Sequence, residues 1–402
     1  MTSQAINTLE AMGKKALQMT RKIELPTGSM QLNFDQSTFE LDELIGFGAR
    51  ANAKRGFLFV SKVLGKHWPV TPQKMLNIHV DLASKIPADM PEPIVFIAMA
   101  ETGIGLGQGV FESFKRMHPL KDVLFIHTSR YHIKDADIIE FEESHSHAPR
   151  QFLHQPNTPD LRNLLAHAKS LVLIDDEAST GNTFFNLTAA CRAWNPLIKH
   201  VHLGAITNFM GQSTTVGLTE RFGLDVTIGA SLSGQYEFTP GQLVPASGTA
   251  QSFEHHTDRG ASSLFGRLGI THALKPPVNL AADLYSEMDP DERILVLGTG
   301  EFMHMAFLLG QSLEALGVDV KVQSTTRSPI LQWGAISSVI SFPDNYGEGI
   351  QNFIYNVLQG QYHRVFICHE TPVNDALVEL AKKVGGRLFH FASEDNIQEG
   401  KQ

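Results

Sequence analysis

LVLIDDEASTGNT occupies residues 171–183 and decides how the chain is read: four apolar residues, three consecutive acids, then a turn of small hydroxylic residues around one glycine. Four unbroken apolar positions suit a strand covered on both faces, as in a parallel sheet. The spacing predicts a strand over 171–174 and a helix beginning near Phe184. Outward from there the same unit recurs in PIVFIAMAETGIGLGQGVFESF (93–114), DVLFIHTS (122–129) and HVHLGAIT (200–207). Alternating strand and helix patterns of this kind predict an α/β fold with a mostly parallel sheet. Residues 211–258, richer in Gly, Ser and Thr, read as short strands and loops. The alternation restarts over 293–329, followed by strand patterns within 364–372 and 385–391 and a helix in NDALVELAKKV (374–384). The expected division is therefore a first domain over 25–258, a linker over 259–284 and a second, smaller α/β domain over 285–400.

A chain of 402 residues, 42% apolar, can bury two such cores. Its net charge of −9 argues against nucleic acid or an anionic membrane as partner, because both recruit basic surfaces. Cys191 and Cys368 lie far apart and suggest reduced thiols rather than a disulfide framework. The first 29 residues carry scattered charges with no apolar core of signal-peptide length, and the expected setting is the cytoplasm.

At the end of a parallel strand, Asp175 and Asp176 would face a ligand crevice. Ser179, Thr180, Gly181, Asn182 and Thr183 would offer hydroxyls and backbone N–H groups just before a helix, the makings of a phosphate cradle. Carboxylates beside such a cradle suit sugar hydroxyls or Mg²⁺. The bland alternative is a capped turn with solvated acids. The stretch resembles the phosphoribosyl-pyrophosphate (PRPP) motif of type I phosphoribosyltransferases, although Glu177 stands where an apolar residue is more usual. That resemblance implies a pentosyltransferase, with Asp175 and Asp176 on the ribose hydroxyls and residues 179–183 on the 5′-phosphate.

By the same resemblance, AETGIGLG (100–107) matches the pyrophosphate loop in Glu101, Thr102, Gly103 and Ile104, with Gly105 and Gly107 permitting close backbone approach. The basic residue often found in that loop is missing here, and alone such a turn is equally a packing feature. The segment HTSRYHIKDADIIEFEESHSHAPRQFLHQPNTP (127–159) resembles the loop that closes over the reacting diphosphate, and brings Arg130, His132, Lys134, His145, His147 and Arg150. His145 and His147 with Glu142 and Glu143 also suggest a metal cluster, a reading placed below loop closure. The implied reaction is attack of a nitrogen heterocycle on C1 of PRPP, with Asp175, Asp176, Arg130, His145 and His147 as catalytic groups. Mg²⁺ would be carried by PRPP, with Asp175 as the candidate side-chain ligand.

In the second half, Gly298-Thr299-Gly300 follows a strand, but Met303 stands where a dinucleotide fingerprint needs its third glycine. Thr325, Thr326, Arg327 and Ser328 cluster beyond a strand pattern at 318–322, so Gly298, Gly300 and this cluster form a candidate second anion site; a loop closed by Pro329 is the alternative. TTRSP, with LGTGEFM before it and SFPDNYGEGIQNFIYNV after it, resembles the TRSP domain that accompanies a phosphoribosyltransferase domain in bacterial tellurium-resistance-associated proteins. The resemblance spans about residues 25–400 and implies nucleoside-like metabolite synthesis or a stress response. A non-catalytic PRPP sensor or scaffold is the rival reading, and a homodimer is left open.

Overall fold

The structure, a computed structural model, describes residues 18–35, 37–50, 55–142, 150–241 and 261–400. Within them lies a seven-stranded sheet in the spatial order Gln18–Leu25, Gly28–Asp35, Asp225–Pro240, His200–Asn208, Ser170–Ala178, Ile94–Ala98, Val123–His127. The last five strands run parallel and the first two add as an antiparallel hairpin at the edge. Residues 171–174 and 94–97 are completely buried, because helices cover both faces of the parallel strands. Each such apolar side chain contributes about 1.5–3 kcal/mol when removed from water. The stretch expected as short strands after residue 211 instead contains one strand of 16 residues, Asp225–Pro240. Its first half pairs parallel to His200–Asn208 and its second half antiparallel to Gly28–Asp35, so it turns the sheet from one pairing mode to the other.

A second sheet has the order Asp319–Ser324, Arg293–Gly298, Arg364–His369, Gly386–Ser393, Asn396–Glu399, parallel except at its final pair. The chain is thus α/β with a mostly parallel main sheet and a smaller α/β part. Val70 exchanges backbone hydrogen bonds with Val322, so the segment after Phe57–Ser61 edges the second sheet. Leu331 donates its N–H to Ala49, and Thr326 exchanges both bonds with Phe353. The stretch expected as a linker is partly interior: Ile270 exchanges backbone bonds with Phe125, and Arg267 is 2% exposed. One apolar cluster joins Val70 and Met75 to Phe265, Phe307 and Phe391, so the smaller sheet shares its interior with residues of the first half.

Candidate active site

Strand Ser170–Ala178 continues through the three acids, placing Asp175 and Glu177 in register with Ala205 and Thr207. The acids therefore lie in the last turns of the strand rather than beyond it. Gly181 adopts φ +70°, a left-handed conformation that glycine reaches without a Cβ clash, and caps the helix Asn182–Trp194. Within the turn the Asn182 N–H donates to Thr180 Oγ1 at 3.3 Å. Arg221 closes it from the side, donating to the Thr180 carbonyl at 2.8 Å and to Asn182 Oδ1 at 2.6 Å while covering the Phe185 ring.

The Asp176 backbone N–H donates to Asp175 Oδ1 at 2.9 Å. Burial first, and then the neighbouring Glu177 charge, push the Asp176 carboxyl well above its ordinary range. Glu177 accepts two bonds from Arg55, at 2.7 and 2.8 Å. Arg50 lies close enough for its pKa to fall to about 10, through burial and then the Arg55 charge. The unusual Glu177 thus anchors Arg55, with Arg50 nearby; the Arg and Lys content of ARANAKRG (49–56) was the available sequence signal, and residues 51–54 of that run lie outside the described residues.

The second loop meets the first at Gly103. A Cβ there would stand 3.1 Å from the Asp175 Cα and 2.9 Å from the Met99 carbonyl oxygen, so only glycine lets the two strand ends approach. Glu101 follows a cis peptide bond after Ala100. Its carboxylate lies 2.6 Å from Lys66 Nζ and 3.5 Å from Arg327 Nε. Burial alone would raise the Glu101 pKa, but Lys66, Arg327 and, farther off, Arg130 hold it below the usual carboxylate range. Three cations thus converge on a loop that contains none.

Several expectations are corrected here. Gly105 and Gly107 do not open the loop to a ligand: their missing Cβ atoms leave room for Met303 and for Ala98. Ile104 is buried, so only its backbone can face the cleft. In the second half, the residues expected to line a separate anion crevice are engaged with one another and with residues of the first half. Gly298 is required because a Cβ would press on the Phe302 carbonyl, and the Gly300 N–H is satisfied by Thr325 Oγ1 at 2.8 Å. Thr325 and Thr326 are buried, Ser328 Oγ accepts from Arg50, and Arg327 pairs with Glu348 at 2.9 Å as well as with Glu101. The strands bearing these loops are indeed adjacent, but their shared edge is pressed against the first sheet's loops.

Arg130 begins the expected closing loop. Its backbone N–H and the Ser129 hydroxyl both donate to Glu301, each at 2.7 Å, and Tyr131 stacks on Tyr346 with ring centroids 4.1 Å apart. Lys134 is exposed, and the loop continues as the hairpin Ile138–Glu142 with Arg150–His154. His132 lies edge-on to His154 with ring centroids 6.1 Å apart. His145 and His147 lie outside the described residues, as does Glu143, and so does the side chain of Glu142. Among the described residues no group of three or more His, Cys, Asp or Glu is placed to hold a metal ion. Two adjacent carboxylates nevertheless fit Mg²⁺, which commonly takes one or two protein carboxylates together with phosphate oxygens.

Paired carboxylates thus stand beside a helix-capping glycine turn, at the centre of a five-strand parallel run. A phosphoribosyl transferase family matches residues 44–235, and the TRSP domain, described as C-terminal to that transferase, matches residues 265–384. The chain belongs to the family that joins these two parts, and it is a pentosyltransferase by class. No curated protein matches it. Among solved structures, adenine phosphoribosyl transferase from Trypanosoma brucei, in complex with AMP, pyrophosphate and ribose-5-phosphate, is similar at 15% identity over 52% of this chain and 87% of that one, with a TM-score of 0.33. APRTase from Giardia lamblia, complexed with 9-deazaadenine, is similar at 15% identity over 39% and 80%, with a TM-score of 0.27. Orotate phosphoribosyltransferase from Francisella tularensis is similar at 15% identity over 47% and 80%, with a TM-score of 0.29.

Proposed function

We propose that the chain transfers the phosphoribosyl group of PRPP to a ring nitrogen of a base-like heterocycle and releases pyrophosphate. The observation that carries this reading is the pair Asp175 and Asp176 beside the Gly181 turn, with Gly103 admitting the facing loop to the same point. The 5′-phosphate sits on the turn 179–183, where backbone N–H groups at a helix start meet an anion and Arg221 holds the turn's shape. The ribose hydroxyls donate to Asp175 and Asp176. As the bond from C1 to the diphosphate oxygen lengthens, positive charge grows on the ribose, and these carboxylates stabilise it. Mg²⁺, held by Asp175 together with substrate oxygens, would supply charge neutralisation to the diphosphate. The nitrogen lone pair forms the new bond to C1, the diphosphate leaves with the old bonding pair, and the ring proton passes to solvent or a nearby base. The segment that begins at Arg130 excludes water that would otherwise capture C1; His145 and His147, proposed with it as catalytic groups, lie outside the described residues.

Release of pyrophosphate from PRPP and Mg²⁺ across a panel of purines, pyrimidines and other nitrogen heterocycles tests the proposal. Turnover with at least one heterocycle is expected, and Asp175→Asn combined with Asp176→Asn should abolish it. PRPP binding without turnover on any acceptor would shift the reading to a PRPP sensor. No binding of PRPP or ribose-5-phosphate would remove it altogether.

A further inference from the structure

We propose that Arg327, contributed by the C-terminal half, binds the diphosphate end of PRPP, so that the TRSP motif completes the transferase site instead of forming a site of its own. The inference rests on the transferase reading above. Residues 100–107 carry no Lys or Arg, yet a loop that receives a leaving diphosphate needs positive charge within hydrogen-bond reach. The structure brings that charge from outside. Lys66 Nζ and Arg327 Nε flank the Glu101 carboxylate from two sides, at 2.6 and 3.5 Å. A carboxylate between two cations marks a place where an anion is stable, and a diphosphate oxygen presents the same acceptor chemistry with more charge. The Arg327 guanidinium also lies over the Tyr131 ring at 5.6 Å, directly beyond Arg130 in the closing segment. It therefore stands between the loop that would receive the diphosphate and the segment that would cover it.

Two features separate this role from a structural staple. Arg327 keeps 15% of its side-chain surface open to solvent, whereas Lys66 on the other side of Glu101 keeps 1%. Its second partner, Glu348, keeps 11% of its side chain open to solvent, and burial raises the Glu348 pKa to about 7, so that bond is one that an incoming anion can replace.

Calorimetric titration of the full chain with Mg²⁺-pyrophosphate, and separately with ribose-5-phosphate, tests the assignment. Arg327→Gln should weaken pyrophosphate binding at least tenfold while ribose-5-phosphate affinity stays within twofold, and Arg327→Lys should recover part of the loss. Glu348→Gln, which frees one edge of the guanidinium and leaves Glu101 in place, should tighten pyrophosphate binding severalfold. Unchanged pyrophosphate affinity in Arg327→Gln overturns the proposal. If that variant does not fold, unchanged affinity in Glu348→Gln overturns it equally. A wild-type protein that binds ribose-5-phosphate but not pyrophosphate overturns this assignment alone, and one that binds neither overturns the transferase reading with it.

Discussion

At the scale of single residues, what a missing Cβ leaves room for separates glycines that look alike. Gly103 faces the Met99 carbonyl and the Asp175 backbone, neither of which can yield, whereas Gly105 faces the flexible end of Met303. Gly103→Ala is therefore expected to cost about 1–3 kcal/mol, the range for overpacking a rigid contact, and to weaken ribose-5-phosphate binding by parting the two loops. Gly105→Ala should cost less and leave that affinity unchanged. Urea denaturation paired with calorimetry on both variants checks the contrast; equal effects would mean that the loops are not held together at Gly103. Arg221 offers a second prediction. It sits on an exposed surface, so its loss should scarcely alter stability, but it fixes the Thr180 carbonyl and Asn182. Arg221→Ala should raise the dissociation constant for ribose-5-phosphate severalfold, and an unchanged constant would show that the phosphate turn keeps its shape without it.

Between elements, the decisive contact is Glu301, in the turn after strand Arg293–Gly298. Its carboxylate is fully buried and receives the Ser129 hydroxyl, the Arg130 N–H and the Arg267 guanidinium at 3.1 Å. Arg267 makes two further bonds of 2.6 Å to Glu370, which also accepts from the Tyr346 hydroxyl at 2.8 Å and the Ser262 N–H at 3.1 Å. One turn of the smaller sheet thus sets where the segment beginning at Arg130 leaves strand Val123–His127. Breaking a buried charge cluster by removing one member strands the others, which typically costs about 3–5 kcal/mol. Glu301→Ala should therefore lower the melting temperature by several degrees. If the variant is assayed below its new melting point, turnover should fall more than ribose-5-phosphate affinity, because the root of the closing segment is released while the phosphate turn is untouched. Equal losses in both would assign Glu301 to folding alone.

Across the whole molecule, burial dictates how the protein responds to acid. His67 and His79 are held neutral by burial down to about pH 3, and His127, His154, His202 and His369, also through burial, to about pH 4. Below the ordinary imidazole value of 6.5 the unfolded chain takes up protons that the folded chain refuses. Stability should then be complete above pH 6.5 and decline as the pH falls, by about 1 kcal/mol per imidazole for the first unit. Glu101 and Glu301, held below their ordinary range despite burial by the cations around them, act in the same direction at lower pH. Asp176 and Glu348, raised by burial, oppose it in part. Thermal melts between pH 7.5 and 5 should show a falling midpoint; a flat profile would mean that these histidines are hydrated in solution. The shared interior has its own consequence. Residues 285–402 expressed alone would expose the surface that Val70, Met75 and Phe265 cover, and lose Arg267 from between Glu301 and Glu370. That fragment should lack a cooperative melt, and a sharp independent transition would show that the two halves fold separately.

The sequence by itself determined the strand-turn-helix units and, through them, the candidate site's outline. An unbroken apolar run such as 94–98, a glycine at the turn and an acid pair beside hydroxylic residues are all local, and short-range sterics and solvent exclusion act on them directly. Even there the strand outran the apolar run, because pairing with His200–Asn208 extends it through the acids 175–177 to Ala178. Only the tertiary structure decided which cations serve the acid loops. Lys66, Arg130 and Arg327 reach Glu101 from three distant stretches, and Arg55 reaches Glu177 across 122 positions. Ion-pair partners depend on which strand ends become neighbours in space, and no period or spacing along the chain encodes that. The same reason turned TTRSP from an apparent independent anion loop into a neighbour of the transferase site. Its hydroxyls and arginine have the composition of a binding loop wherever they lie, but the docking of one sheet edge against another determined what stands across from them.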